Sequence, residues 1–223
     1  MTIVYIISAP SGSGKSTLVN EIRKIVPDLD FSISYTTRAP RGSEQNGREY
    51  FFVPRADFAD MLRKGDFLEH AEVHGHYYGT SRGVLRKAEQ AGKDLVLDID
   101  VQGACQIKQQ IPEAVSIFVL PPDRKTLEWR LRQRGQDADD EIERRLDTAK
   151  REIENYEKYA YILVNDHLER AVDQLTAIFL AERLRRSGRT LSPEESQILA
   201  RAECCRVSDA EQLVQPILAT FGR

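Results

Sequence analysis

The sequence predicts an α/β fold, a doubly wound parallel sheet flanked by helices. Apolar runs of strand length ("TIVYIIS", "DLVLDID", "AVSIFVL" and "YILVND") alternate with amphipathic or charged helical segments. The runs are nearly continuous in apolar residues, as expected of parallel strands covered on both faces. Polar residues gather where strands end: "SAPSGSGKST", Asp98 with Asp100, and Asn165-Asp166. In open parallel sheets that is where ligands bind.

Each element follows in order. "TIVYIIS" leads through a glycine-containing turn to a helix over residues 16–26, which ends before Pro27. "DFSISY" reads as one short alternating strand, followed by the arginine- and glycine-rich loop "TTRAPRGSEQNGREY". "YFFV" is strand-like, "RADFADMLRKG" is an amphipathic helix stopped by Gly65, and "FLEHAEVH" alternates like a strand. After "YYGTSRG" a helix runs to about Gly92, and "DLVLDID" is an apolar strand. A further helix leads through Pro112 to "AVSIFVL", closed by Pro121-Pro122. "RKTLEWRLRQRG" and "EIERRLDTAKREIENYEKY" form an arginine-dense helical pair, "YILVND" is the last strand, and "LERAVDQLTAIFLAERLRRS" is a long helix before Gly188. The tail reads as two short helices, one with Pro193 in its first turn. The division expected is a core of residues 1–31, 83–124 and 160–187, a small β-rich insert over 32–82, a helical lid over 125–159, and a helical tail over 188–223.

Composition narrows the class. With 223 residues, 41% hydrophobic and 30% charged, the chain reads as a soluble globular protein of one large or two small domains. A net charge of -3 argues against a general polyanion binder, so no nucleic-acid partner is expected and basic residues should act in local clusters. No basic leader or long apolar segment is visible, so neither a signal peptide nor a membrane span is expected. Cys105, Cys204 and Cys205 are too few and wrongly spaced for a disulfide framework, which points to a reducing compartment, by default the cytoplasm.

The strongest chemical signal is the stretch Ala9, Pro10, Ser11, Gly12, Ser13, Gly14, Lys15, Ser16 and Thr17 between the first strand and the first helix. Glycines let main-chain N–H groups turn inward around an anion, and the helix start adds unpaired N–H groups and the positive end of its dipole. Lys15 supplies a mobile charge for outer phosphates, and the Ser16 hydroxyl is suited to Mg²⁺. Ala9 stands where the P-loop pattern has glycine, at the loop's outermost position. Little cost is expected there unless the backbone requires a positive φ. A plain small-residue turn would leave Lys15-Ser16 at the helix start unexplained.

"SAPSGSGKST", "SYTTRAPRGSEQNGREYFF", "FLEHAEVHGHYYGTS", "DLVLDIDVQGA", "SIFVLPP", "RLRQRG" and "VND", in this order and with these gaps, resemble the guanylate kinase family, bacterial members above all. The resemblance runs over residues 3–186 and leaves the tail outside. It implies a P-loop NTPase fold with an inserted nucleoside-monophosphate-binding region and a helical lid. It also implies Mg²⁺-dependent transfer of the γ-phosphoryl group of ATP to GMP, and to dGMP, giving ADP and GDP in purine nucleotide metabolism. It leaves room for a homo-oligomer.

The resemblance places Arg38, Arg41, Tyr50 and Tyr78 on the α-phosphate of GMP, and Glu69, Ser34, Thr80 and Asp100 around its guanine. Asp98 is placed with Ser16 on Mg²⁺, and Asn165 and Asp166 where the family holds the adenine of ATP. Arg134 and Arg145 become lid arginines that swing onto the transferring phosphoryl group, so Lys15, Arg41, Arg134 and Arg145 form the catalytic set. Arg130, one helical turn before Arg134, would reach the ATP side.

The residues suit these roles chemically. Guanidinium forks capture phosphate bidentately. A buried carboxylate accepts from guanine N1–H and N2–H₂ while a neighbouring hydroxyl donates to O6. No covalent nucleophile or general base is needed, since the acceptor phosphate is already anionic. The insert and lid would close over the two nucleotides.

Plainer readings stand beside these. Arg38 and Arg41 could be solvated loop arginines, Tyr50 and Tyr78 core tyrosines, and Glu69 an ordinary strand carboxylate. Asp98 and Asp100, two apart and so on one face of a strand, could instead cap the next helix. Most arginines of the charged helices would be solvated. His70, Glu72, His74 and His76 share strand parity, which makes a metal site conceivable, although Gly75 breaks the alternation. Cys204-Cys205 reads as helix packing. Two other functions compete: a catalytically silent binding module of the same fold, which would lose the cradle that Lys15 and Ser16 complete here, and a P-loop kinase for a phosphorylated sugar, which would need neither Glu69 nor the Ser34/Thr80 pair.

Overall fold

The computed structural model describes residues 2–73, 75–133 and 138–222. Strand β1 (Val4–Ser8) is buried at every residue. Helix α1 (Lys15–Ile25) ends at Val26, because Pro27 has no N–H to continue the ladder. Then come β2 (Leu29–Phe31), β3 (Tyr35–Thr36), β4 (Phe51–Phe52), α2 (Arg55–Arg63), β5 (Phe67–Val73) and β6 (His76–Ser81). The chain continues through α3 (Arg82–Ala91), which starts on the Ser81 hydroxyl, β7 (Asp94–Asp98), α4 (Val101–Gln110) and β8 (Val115–Leu120). After α5 (Arg124–Gln133), α6 (Asp139–Ile153) and a 3-10 turn at Tyr156–Lys158 come β9 (Tyr161–Val164) and α7 (Leu168–Ser187). The tail holds α8 (Pro193–Glu203), a 3-10 turn at Val207–Asp209 and α9 (Glu211–Ala219).

Two compact units are distinguished. The first comprises residues 1–6 and 28–114. In it β2, β7 and β1 lie side by side. The β2 and β7 strands are parallel, with Leu29 opposite Asp94 and Phe31 opposite Val96. Buried Asp94 receives the Ile3 N–H at 2.8 Å, which fixes the start of β1. A separate sheet has the order β4-β3-β6-β5, with β5 and β6 antiparallel.

Two expectations are corrected here. "DFSISY" is not one strand: Asp30-Phe31 belong to β2 in one sheet and Tyr35 to β3 in the other. Its alternation runs on across the crossover at residues 32–34. "HYYGTS", to which the sequence pattern assigns no element, is β6, the partner of β5. The small sheet's core is aromatic, with Phe58 stacked on Phe67 at 4.5 Å between centroids.

The second unit comprises residues 7–27 and 115–223. It carries the end of β1 beside β8 and β9, the latter two parallel with Ile117 opposite Tyr161. The tail is built into this unit. A capping box between Ser192 and Glu195 starts α8, with Pro193 in its first turn. The Ile162 N–H donates to the Cys205 carbonyl at 2.8 Å and the Val207 N–H to Ala160 at 3.2 Å, so the tail covers the edge of β9. Ala202, Cys205, Ala210, Val214, Ile217 and Phe221 are buried beneath it.

A charged latch holds α7 to the tail. The Tyr161 hydroxyl donates to Glu182 Oε1 at 2.5 Å, and Arg185 bonds the same oxygen at 2.6 Å. Arg185 also pairs with Glu203, and the Arg206 guanidinium lies 4.3 Å from the Tyr161 ring centre. Burial, with the Glu182 charge behind it, raises the Tyr161 hydroxyl well above the ordinary tyrosine range, so it stays a donor.

Candidate active site

Glu69 projects from β5 and is 3% exposed. A carboxylate so buried needs donors to stay charged. Thr80, opposite it on β6, supplies one, its hydroxyl donating to Glu69 Oε1 at 2.6 Å. Ser34 Oγ lies 3.4 Å from Thr80 Oγ1. Since the Thr80 proton is aimed at Glu69, Ser34 is the donor across this long contact, and its hydroxyl can turn from it to a better acceptor.

Asp100 is not in the strand with Asp98. The β7 strand ends at Asp98, and Asp100 caps α4, its Oδ1 accepting from the Gly103 N–H at 2.8 Å. The shared-face expectation for the two aspartates therefore fails, and the capping alternative describes Asp100. The cap nevertheless keeps Asp100 near Glu69. A Cβ placed on Gly103 would stand 2.5 Å from Glu69 Oε2 and 3.4 Å from Asp100 Oδ1. Ser34, Glu69, Thr80 and Asp100 thus converge within the first unit.

Arg38, Tyr50 and Tyr78 form a second cluster in that unit. Arg38 is 7% exposed and grips Glu44 with both fork nitrogens at 3.0 Å. Its guanidinium lies 5.4 Å from the Tyr50 ring centre, and the Tyr50 and Tyr78 rings meet edge to face at 5.8 Å. Burial, with the Asp98 and Tyr78 charges adding to it, pushes the Tyr50 hydroxyl up to about 12, so it is a proton donor throughout the neutral range. Burial works against charge on Arg38 and Glu44 alike. Their mutual bond prevails, with Tyr78 helping Arg38 and the Arg41 N–H helping Glu44. The guanidinium is raised and the carboxyl is held below its ordinary value. The Arg41 N–H reaches Glu44 at 2.8 Å while the Arg41 side chain is exposed. Glu44 escaped the sequence reading; an acid three residues beyond Arg41, inside an arginine loop, was the available signal.

The cradle lies in the second unit. The Ser13 N–H closes a turn on the Pro10 carbonyl at 3.0 Å, and Gly12 and Gly14 have φ of 96° and 89°. A Cβ on Gly14 would collide with the Asn165 amide. The N-cap of α1 is Gly14, which makes no side-chain cap bond, and Ser13 Oγ is buried without a partner. That donor-rich, uncapped loop fits a polyphosphate. Ala9 causes no strain, since Asp28 is the one non-glycine residue with positive φ among the described residues.

Asn165 and Arg130 are both bonded to this loop. Asn165, 5% exposed, donates from Nδ2 to the Ser13 carbonyl at 2.7 Å. Arg130 reaches the same carbonyl at 3.3 Å and the Asn165 carbonyl at 3.0 Å. Asp166 accepts from the His167 N–H at 2.6 Å and pairs with Arg170. Arg145 on α6 bonds the Ser11 hydroxyl, at the start of the same loop.

Ser16 belongs to the second unit and Asp98 to the first. Arg134 lies outside the described residues, as does His74 of the conceivable metal cluster. Among the described residues no group of three or more His, Cys, Asp or Glu is placed to hold a metal ion, and no helix is long and apolar enough to cross a membrane. A site whose Mg²⁺ ligands are mostly phosphate and water needs no such cluster.

Comparison with known proteins agrees with this chemistry. The family model described as "Guanylate kinase" matches residues 1–182. A guanylate kinase from Koribacter versatilis (strain Ellin345) is 61% identical over 221 residues, 98% of this chain and 95% of its own length. That relative's match therefore includes the tail. One from Escherichia coli (strain K12) is 48% identical over 186 residues, covering 82% of this chain and 90% of the other. Among solved structures, a guanylate kinase from Anaplasma phagocytophilum superposes with a TM-score of 0.67 at 34% identity, covering 81% of this chain and 86% of that one.

Proposed function

The chain belongs to the guanylate kinase family, and from that premise we propose how its own residues carry out phosphoryl transfer from ATP to GMP. The chain is a nucleoside monophosphate kinase. The observation that carries the acceptor assignment is Glu69, a carboxylate 3% exposed and oriented by Thr80. It would accept from guanine N1–H and N2–H₂, with Asp100 beside it and Ser34 donating to O6. Adenine presents an unprotonated N1 and no 2-amino group, which would set the Glu69 carboxylate against a ring lone pair.

Arg38, Arg41, Tyr50 and Tyr78 would hold the acceptor phosphate. Glu44 keeps Arg38 preorganised with its fork flat, and a phosphate arriving there competes with a carboxylate for the same donors. Main-chain N–H groups of the Gly12–Gly14 loop and Lys15 would hold the donor's outer phosphates. Arg145, tethered at Ser11, would meet charge developing on the transferred group. Arg134 is assigned the same task by the family pattern.

In the transfer, an acceptor phosphate oxygen forms a bond to the γ-phosphorus while the bond to the β–γ bridging oxygen breaks, and ADP departs with that electron pair. The attacking oxygen is anionic, so no side chain has to remove a proton. Ser16 and Asp98 are the residues assigned to Mg²⁺, which when bound neutralises charge on the donor phosphates. The cytoplasm is the compartment that accords with three free cysteines.

Replacement of Glu69 by Gln tests the acceptor assignment. The GMP KM should rise roughly a hundredfold and selectivity against AMP should collapse, with the ATP KM changed by no more than about twofold. Equal damage to both affinities would make Glu69 a structural residue and sink the assignment.

A further inference from the structure

Position 69 sits on a strand with an awkward backbone. β5 is an edge strand of the small sheet, and its register with β6 slips between Phe67 and Glu69, leaving Leu68 with no partner in the ladder. Edge N–H and C=O groups, and the carbonyl freed at a bulge, have to be satisfied from outside the sheet. Helix α4 does this with side chains. Gln106 accepts from the His70 N–H at 3.1 Å and donates to the His70 carbonyl at 2.6 Å, so its amide pairs with His70 as a neighbouring strand would. One turn later, Gln110 donates to the Leu68 carbonyl at 2.6 Å. The residues on either side of Glu69 are thereby fastened to the helix whose first turn holds Asp100 and Gly103.

We propose that Gln106 and Gln110 are positioning residues for guanine recognition, fixing the peptide units that flank Glu69 so that its carboxylate faces the base. Neither glutamine touches the substrate; both act through β5. Gly103, Gln106 and Gln110 fall at i, i+3 and i+7 on one helix face. One strip of α4 therefore leaves room for the carboxylate, pairs with the strand beside it and anchors the bulge before it. The inference rests on the assignment of Glu69 to guanine.

The test compares Gln106→Leu and Gln110→Leu with Gln109→Leu, a control on the same helix whose side chain reaches Cys105 instead of β5. GMP and ATP KM values are measured for each, together with kcat/KM for GMP against inosine monophosphate, which lacks the 2-amino group. Gln106→Leu should raise the GMP KM about tenfold and shrink the preference for GMP over inosine monophosphate by a similar factor, as expected for two lost hydrogen bonds. The ATP KM should stay within about twofold, and Gln109→Leu should match the wild type. Gln110→Leu should show the same pattern more weakly, and it stands in if Gln106→Leu does not fold. Equal shifts in both KM values, or an unchanged preference between the two purines, would reduce the glutamines to structural supports and overturn the inference alone. A wild-type protein that did not bind GMP would overturn the reading of the slot, and the inference with it.

Discussion

Gly103 shows how closely the Glu69 carboxylate is enclosed. A Cβ there would meet Glu69 Oε2, the far end of a side chain, and not a backbone atom. Gly103→Ala should therefore leave thermal stability little changed, since alanine in a helix gains up to about 1 kcal/mol over glycine against the contact. The displaced carboxylate should raise the GMP KM by about tenfold or more. A large fall in melting temperature with an unaltered GMP KM would contradict this. Glu69 itself was legible from the company it keeps in "FLEHAEVHGHYYGTS". The space left by Gly103 was not, because a glycine in a helix can mean many things until the neighbour is known.

Among the elements, the phosphate loop is held from behind. Asn165→Ala removes the amide under the Ser13 carbonyl and opens the space against which Gly14 is packed. The loss should cost about 1–3 kcal/mol and raise the ATP KM roughly tenfold while the GMP KM holds. An unchanged ATP KM would show that Arg130 suffices.

The arginine loop offers a pH test. In the folded state Glu44 is held below its ordinary value of 4.5, chiefly by Arg38 against the opposing effect of burial. Its stabilisation is therefore complete above pH 4.5 and is lost as pH falls through the lowered folded-state value. Glu44→Gln should lower stability by about 1 kcal/mol at neutral pH and flatten the acid limb of the stability curve, measured by urea unfolding at a series of pH values. A parallel downward shift at every pH would contradict it.

The same loop and cradle show where sequence stops. "SGSGKST" dictates its own backbone, so the cradle was readable directly. The roles of Asn165 and Arg130 depend on which side of the loop they approach, and that is decided by strands far along the chain. "DFSISY" hid a crossover because alternation reports which face a side chain takes, not which sheet the strand joins.

For the whole molecule, the tail is a structural part of the second unit and not an appendage. It covers the β9 edge, buries six apolar residues, and closes the latch of Tyr161, Glu182, Arg185, Glu203 and Arg206. Removal of residues 188–223 should destabilise that unit by something on the order of 5 kcal/mol and promote association through the bared strand. Calorimetry and light scattering check both outcomes, and an unchanged melting temperature would refute the structural role. The tail's two short helices, one with Pro193 in its first turn, were legible. Their destination was not legible, since the contacts that fix it join residues some forty positions apart.

We propose a kinase whose buried acid selects guanine. Its most direct test is an acceptor screen with ATP and Mg²⁺, following ADP release with GMP, dGMP, AMP and UMP in turn. GMP and dGMP should support turnover, with AMP and UMP poorer by about 10³-fold or more in kcat/KM. Turnover with AMP equal to that with GMP, or none with GMP while another acceptor reacts, would contradict it.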